Sequence, residues 1–385
     1  MKRKFVRVLL PLILSILVLT TVVLVLFNWR TATRIMLKIT VNQVIFTLQG
    51  SADAPSDFQA LLNTLFFTSV SASNFEQIKF TPLSIAVANP VYYNLEIDKY
   101  PKSAWFPLKI ESTPVVIEGT DKTLLPTVTL ESASKKARKW NLNKLMVEPG
   151  SEVIMRLNQS GKSEAYTLTI EIRERNSDVV VSFHEQFYMT ANNATLFGIE
   201  VFSMPKDYIT YKGKLRDNAS LIEIAGEARG LILNFSLSLH ENNDILTNSC
   251  IWGDSLDFTR LDPQGELKST AVKNSNIIIE YPDYPHIEPK KINCQDYIQL
   301  DKRDRFRFEE IRLNPELKGI QLILSGVARS LKTGDKGNSQ DHRLTLYQQL
   351  RYGQLYVLAS AIIWIITAFT CFFRYFKEFR NDFKK

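Results

Sequence analysis

The sequence predicts a mainly β ectodomain, sandwich- or jelly-roll-like, flanked by two transmembrane α-helices. Three observations predict it. Two long uncharged apolar runs lie near the ends of the 385-residue chain. Between them, apolar and polar residues alternate at strand period over many short stretches. The excess of Lys and Arg sits on the two tails outside the runs.

Residues 1–7 form a basic tail. Residues 8–27 are uncharged and apolar. At about 1.5 Å per residue this run crosses a hydrocarbon core of about 30 Å. Pro11 lies near its N-terminal end, where a helix tolerates proline best. The other readings are a buried core helix and a cleaved signal peptide. Against the second, the run is long and the following FNWRTATR lacks a small-residue cleavage pattern. Trp29 is placed as an interface anchor just beyond the run.

The stretch after residue 28 reads as β. Leu37, Ile39 and Val41 share one parity and Val44, Phe46 and Leu48 the other, so a bulge or tight turn is expected at Asn42–Gln43. Leu168, Ile170 and Ile172 alternate with polar residues, as do Leu231, Leu233, Phe235, Leu237 and Leu239. Further strands are expected near 83–87, 108–112, 115–118, 127–131, 153–157, 179–183, 222–225, 277–281, 306–313 and 320–325. One helix is expected at 56–66, capped by Ser56 with Phe58, Leu61, Leu62 and Leu65 as its apolar stripe. The length suits two tandem β domains, 28–190 and 191–331, with one elaborated sandwich as the alternative. Residues 332–354 read as a flexible tether followed by a juxtamembrane helix from His342.

Residues 355–373 are the second uncharged run. Tyr352 and Tyr356 mark its near end as interface anchors. In the tail 374–385, Phe376 and Phe379 recur among basic residues, the pattern of an interfacial helix or a stop-transfer flank. Flanking charge sets orientation. Nine Lys and Arg lie on the two tails, against Arg30, Arg34, Lys38, Arg343 and Arg351 on the inner side of the runs. Both termini are therefore expected in the cytosol of a bacterial inner membrane or its equivalent, with the main domain periplasmic or extracellular. The formal charge of +7 belongs to the tails, and the stretch between is balanced at 38 basic and 38 acidic residues. The basic excess therefore signals topology, and no nucleic-acid partner is expected.

Catalytic chemistry finds little support. The four histidines are isolated, and no HExxH, GxSxG or GxGxxG occurs. Gly161-Lys162-Ser163 lacks the earlier glycine of a phosphate loop, where Arg156 stands instead. Asp254, Asp257 and Asp262, with Glu241 and Asp244, lack the spacing of a calcium loop and read as surface acids. No cofactor or metal is expected. Cys250 and Cys294 are the candidate disulfide in an oxidising compartment. Lys135, Lys136 and Arg138 beside Trp140 are the candidate contact patch, for a glycan, an anionic lipid or an acidic protein face. A second basic run, Lys302 to Arg307, reads as a solvated loop.

The expected function is a non-enzymatic, two-span membrane protein, a scaffold, sensor or accessory subunit that meets the bilayer and a protein partner or its own copies. Two rivals stand beside it. One is an oligomerising, membrane-perturbing effector or channel subunit. The other is an envelope glycan-processing hydrolase, which needs an inward carboxylate pair about 5–10 Å apart.

Overall fold

The computed structural model describes residues 17, 20–49, 66–81, 85–87, 115–119, 125–132, 140–159, 165–174, 177–183, 187–192, 194–196, 199–201, 209–211, 220–226, 230–238, 243–247, 251–261, 263–273, 275–293, 297–334, 339–352, 364–365, 367–369 and 372–373. The helix expected at 56–66 lies outside these except at Phe66, which is strand, and the strand at 108–112, Cys250, Cys294, Lys135, Lys136, Arg138, Tyr356, Phe376 and Phe379 lie outside them too.

The protein is mainly β. The strands that position the site are β1 (Thr33–Val41), β2 (Gln43–Gln49), β3 (Ser69–Ser73), β4 (Thr127–Ser132), β5 (Glu152–Gln159), β6 (Ala165–Arg173), β7 (Leu231–Ser238), β8 (Trp252–Asp257), β9 (Asn276–Glu280), β10 (Lys290–Asn293), β11 (Phe306–Asn314) and β12 (Gly319–Ala328). They form one antiparallel sheet in the order β10-β9-β1-β12-β11-β8-β2-β5-β6-β7-β3-β4, which continues through Phe187–Asn192, Ile209–Tyr211 and Ile85–Val87.

The parity switch in the sequence is a real corner. Asn42 alone separates β1 from β2, yet three strands stand between them in the sheet. Met36 pairs with Ser325, Ser325 with Arg307, Arg307 with Trp252, and Trp252 with Gln49. Four strand spacings hold Met36 and Gln49 within about 20 Å, whereas the extended chain between them spans about 43 Å. The chain therefore folds back at Asn42, whose N–H donates to the Thr270 carbonyl and whose carbonyl accepts from Leu157. Changing parity at this corner keeps Ile35, Leu37 and Ile39 buried before it and Val44, Phe46 and Leu48 buried after it.

A second sheet runs Ile199–Val201, Ala194–Leu196, Val115–Gly119, Phe75–Thr81, Ser220–Gly226, Ser177–Phe183, Trp140–Val147, Phe66–Phe67. Among the described residues, four of the short links between the two sheets hold a left-handed residue: Asn74, Gly150, Glu174 and Gly230. A positive φ turns an extended strand sharply out of its plane. At the Gly230 corner, with φ 111°, the carbonyl accepts from the Asn74 amide at 2.5 Å, so two crossings are tied together.

Buried residues of both sheets, such as Ile78 and Ile224 from the second and Ile170 and Leu233 from the first, belong to one apolar cluster. Strands from either side of residue 190 pair directly, β1 with β12 and β6 with β7. The expected division at 190/191 therefore does not divide the core. Period-two patterning marks strands well but carries no information about their partners.

Candidate functional site

The two ends of the domain meet at one end of the main sheet, here called the base. Thr33 and Ala328 are paired there, and the chain enters through residues 20–28, which are helical, and leaves through the helix Leu346–Tyr352. The Leu346 N–H donates to the Trp29 carbonyl at 2.9 Å, and the Phe27 and Tyr347 rings stack at 4.6 Å. The Thr345 hydroxyl and Gln348 side chain cap the helix reciprocally, as a capping box does. Gln349 reaches back to the Thr33 hydroxyl.

Two arginines lock this seam. Arg30 donates to the carbonyls of Asp341 and Arg343, at 2.7 and 2.5 Å. The Arg343 guanidinium forks onto the Asp341 carboxylate, with its closest contact at 2.7 Å, and donates to the Arg329 carbonyl. Burial alone would raise the Asp341 carboxyl, but the Arg343 hydrogen bonds outweigh it and hold the group below its ordinary value. Tyr281 is buried and donates to the His342 carbonyl at 2.6 Å; burial pushes its phenol up. The buried His342 ring meets the Thr333 hydroxyl at 2.6 Å.

These contacts correct the tether expected at 332–354. Lys332 and Thr333 pair with Asp341 and Gln340, and that hairpin joins Ile298–Leu300 in a three-stranded sheet. The stretch reads as flexible because its composition is polar and Gly-containing, which carries no sign of the pairing that its described ends make with each other and with Ile298–Leu300. The juxtamembrane helix starts later than expected, since His342 is core and Thr345 caps the helical turn.

Asp304 is the second polar group of the base. It is 2% exposed, its Oδ2 accepts from the Arg329 and Ser330 N–H groups, and Oδ1 has no protein partner. Burial pushes its carboxyl up against the pull of those two amides. Asp304 and Asp341 therefore carry opposite pH signs. Asp341 binds its proton less readily folded than unfolded, so its stabilisation is full above the ordinary carboxylate value and is lost as pH falls through the depressed one. Asp304 binds its proton more readily folded, so it costs stability as pH rises from the ordinary value through the raised one. Urea unfolding across the acid range is expected to show the deficit of Asp341→Asn closing on acidification. The same titration of Asp304→Asn is expected to shift in favour of the parent as pH falls. Parallel curves would contradict the assignment.

The residues singled out from sequence distribute unevenly. Trp29 is at the junction and exposed, and Tyr352 ends the helix with the Arg351 guanidinium 5.3 Å from its ring centre. Trp140 opens its strand opposite Phe67, away from the junction in chain order. Asp254 accepts from Gln49, and Asp257 accepts from the Thr259 amide and hydroxyl, so both acids serve local structure. Among the described residues, no group of three His, Cys, Asp or Glu is placed to hold a metal. Sequence reasoning used Arg30 and Arg343 only as topology charges and missed Asp304, whose sole signal was an acid inside a basic run.

No family model, no curated protein and no solved structure matches the chain.

Proposed function

We propose that the chain is a two-span membrane protein whose β domain stands on the outer face, with both termini inside, and serves as a scaffold, sensor or accessory subunit of a membrane assembly. The observation that carries this reading is the base junction. It joins the two chain ends side by side, so two apolar helices that start there enter one patch of bilayer and report the domain's position as a unit. Exposed apolar side chains at both ends add support: Leu24 is 55% and Trp364 76% exposed, on segments that are helical wherever they are described. Hydrocarbon is the solvent that suits such surfaces. Among the described residues, no helix is long and apolar enough to cross a membrane; the two runs 8–27 and 355–373 are described only in part.

Reporter fusions at residues 4, 200 and 380 test the topology. The expected pattern is inside, outside, inside. A cytosolic reporter at 200 overturns the reading.

A further inference from the structure

We propose that the turn 301–305, together with Arg329, docks the domain on anionic phospholipid headgroups of the membrane that holds its spans; this rests on the two-span reading above. The stretch between the spans is formally neutral, yet its charge is not spread evenly. The base segments 29–34, 281–290, 301–305, 329–332 and 341–351 carry ten Lys and Arg against five Asp and Glu. Within them, Lys302, Arg303, Arg305 and Arg329 are all exposed and have no carboxylate ion-pair partner among the described residues. Other arginines behave differently: Arg173, Arg312 and Arg343 each hold a carboxylate within 3.0 Å. Against Asp301 and Asp304 in the same turn, these four cations leave a formal excess of two positive charges on one rim, which favours anions.

Position selects the anion. Arg305 precedes Phe306, which pairs with Gly326, and Gly326 pairs with Ile35, two residues beyond Thr33. The turn is therefore level with the entry of the chain and displaced sideways by two strand spacings, about 10 Å. Two helices leaving that entry into a bilayer bring the turn to its headgroups, within roughly a Debye length of a charged surface.

The turn is also mounted rigidly. The Asp304 N–H donates to the Asp301 carbonyl, and the Arg303 N–H to the Asp301 carboxylate. The Lys302 carbonyl accepts from the Ser255 N–H at 3.3 Å, while Asp304 Oδ2 grips Arg329 and Ser330. A buried carboxylate inside a basic loop thus orients the loop, whose three cations are exposed together with Arg329. A mount of this kind lowers the ordering cost of binding a charged surface.

Hydrogen exchange of the full chain tests this in phosphatidylcholine vesicles with and without phosphatidylglycerol. Phosphatidylglycerol is expected to slow exchange in the 301–305 turn severalfold, an effect that high salt reverses and Arg303→Glu/Arg305→Glu abolishes. Exposed side chains without partners predict an unchanged urea midpoint for that variant, which separates lost docking from misfolding. Equal exchange in both vesicles overturns the proposal, as does protection that survives the double substitution. Protection by inorganic phosphate over phosphatidylcholine alone assigns the cations to a soluble anion and also overturns it. Alkaline extraction of the same vesicles keeps the two readings apart. Release of the chain sinks the two-span reading, whereas retention with equal exchange sinks the headgroup contact alone.

Discussion

Phe308→Ala is expected to lower the unfolding free energy by about 3–5 kcal/mol, and Gly253→Ala by about 1–3 kcal/mol. Phe308 on β11 and Phe46 on β2 are not on neighbouring strands, since β8 runs between them. Their ring centres nevertheless approach to 4.6 Å. Gly253 on β8 makes this possible, because the rings fill the space its side chain would take. A Cβ there would lie 2.8 Å from Phe308 and 3.4 Å from Phe46. Both rings are fully buried and have no room to withdraw. The double variant should lose less than the sum, because the new methyl enters the cavity left by the ring, with a coupling of about 1 kcal/mol. Urea unfolding of the detergent-solubilised chain measures all three. Strict additivity would mean that the glycine and the ring do not share that space.

The second large effect is expected at the base. Arg343→Ala removes the fork on Asp341 and the bond to Arg329 while leaving the carboxylate in place. Hydrogen bonds to charged groups contribute about 1.5–3 kcal/mol, and a partly buried carboxylate left behind adds to the loss. The Arg343 side chain is only 20% exposed, so solvent screens this pair weakly. Arg34 is the control. Its contact with Asp283 is 3.6 Å long and the side chain is 59% exposed, so Arg34→Ala should cost less than about 1 kcal/mol. Exchange of residues 339–352 should speed up in Arg343→Ala while the pairing of β1 with β12 stays protected. Unchanged exchange in that segment would show that the seam is held by Arg30 and the backbone bridge alone.

Where the alternation was clean, the strands could be read directly. The stripes of Leu168, Ile170 and Ile172 and of Leu231, Leu233 and Phe235 are the buried faces of β6 and β7, and the parity slip at Asn42 is the corner. Strands of small or polar residues were not legible. The chain SVSAS in β3 buries only Val70 and Ala72, a two-residue stripe too short to mark a strand. Trp140–Val147 is a strand not marked from sequence, where only Trp140 stands out, beside the basic run. The base was nearly invisible for a different reason. Arg30 binds the carbonyls of residues more than three hundred positions away, and backbone acceptors leave no trace in side-chain chemistry. His342 reads as the start of the juxtamembrane helix, yet it is buried, because a single polar residue says nothing about its burial.

The pairing of β1 has a consequence for the order of synthesis. Its two neighbours are β9 and β12, both in the last third of the chain, so a strand made among the first forty or so residues waits for partners beyond residue 275. At ribosomal speed that delay is on the order of tens of seconds. Throughout it, Ile35, Leu37, Ile39 and Val41 have no ladder to join. The nascent chain must therefore be shielded on the side where it emerges, and any premature stop before Asn276 leaves that strand with neither neighbour beside the first apolar run. The seam at Arg30 is among the last to close, and it closes only once the segment entering the second apolar run has been made.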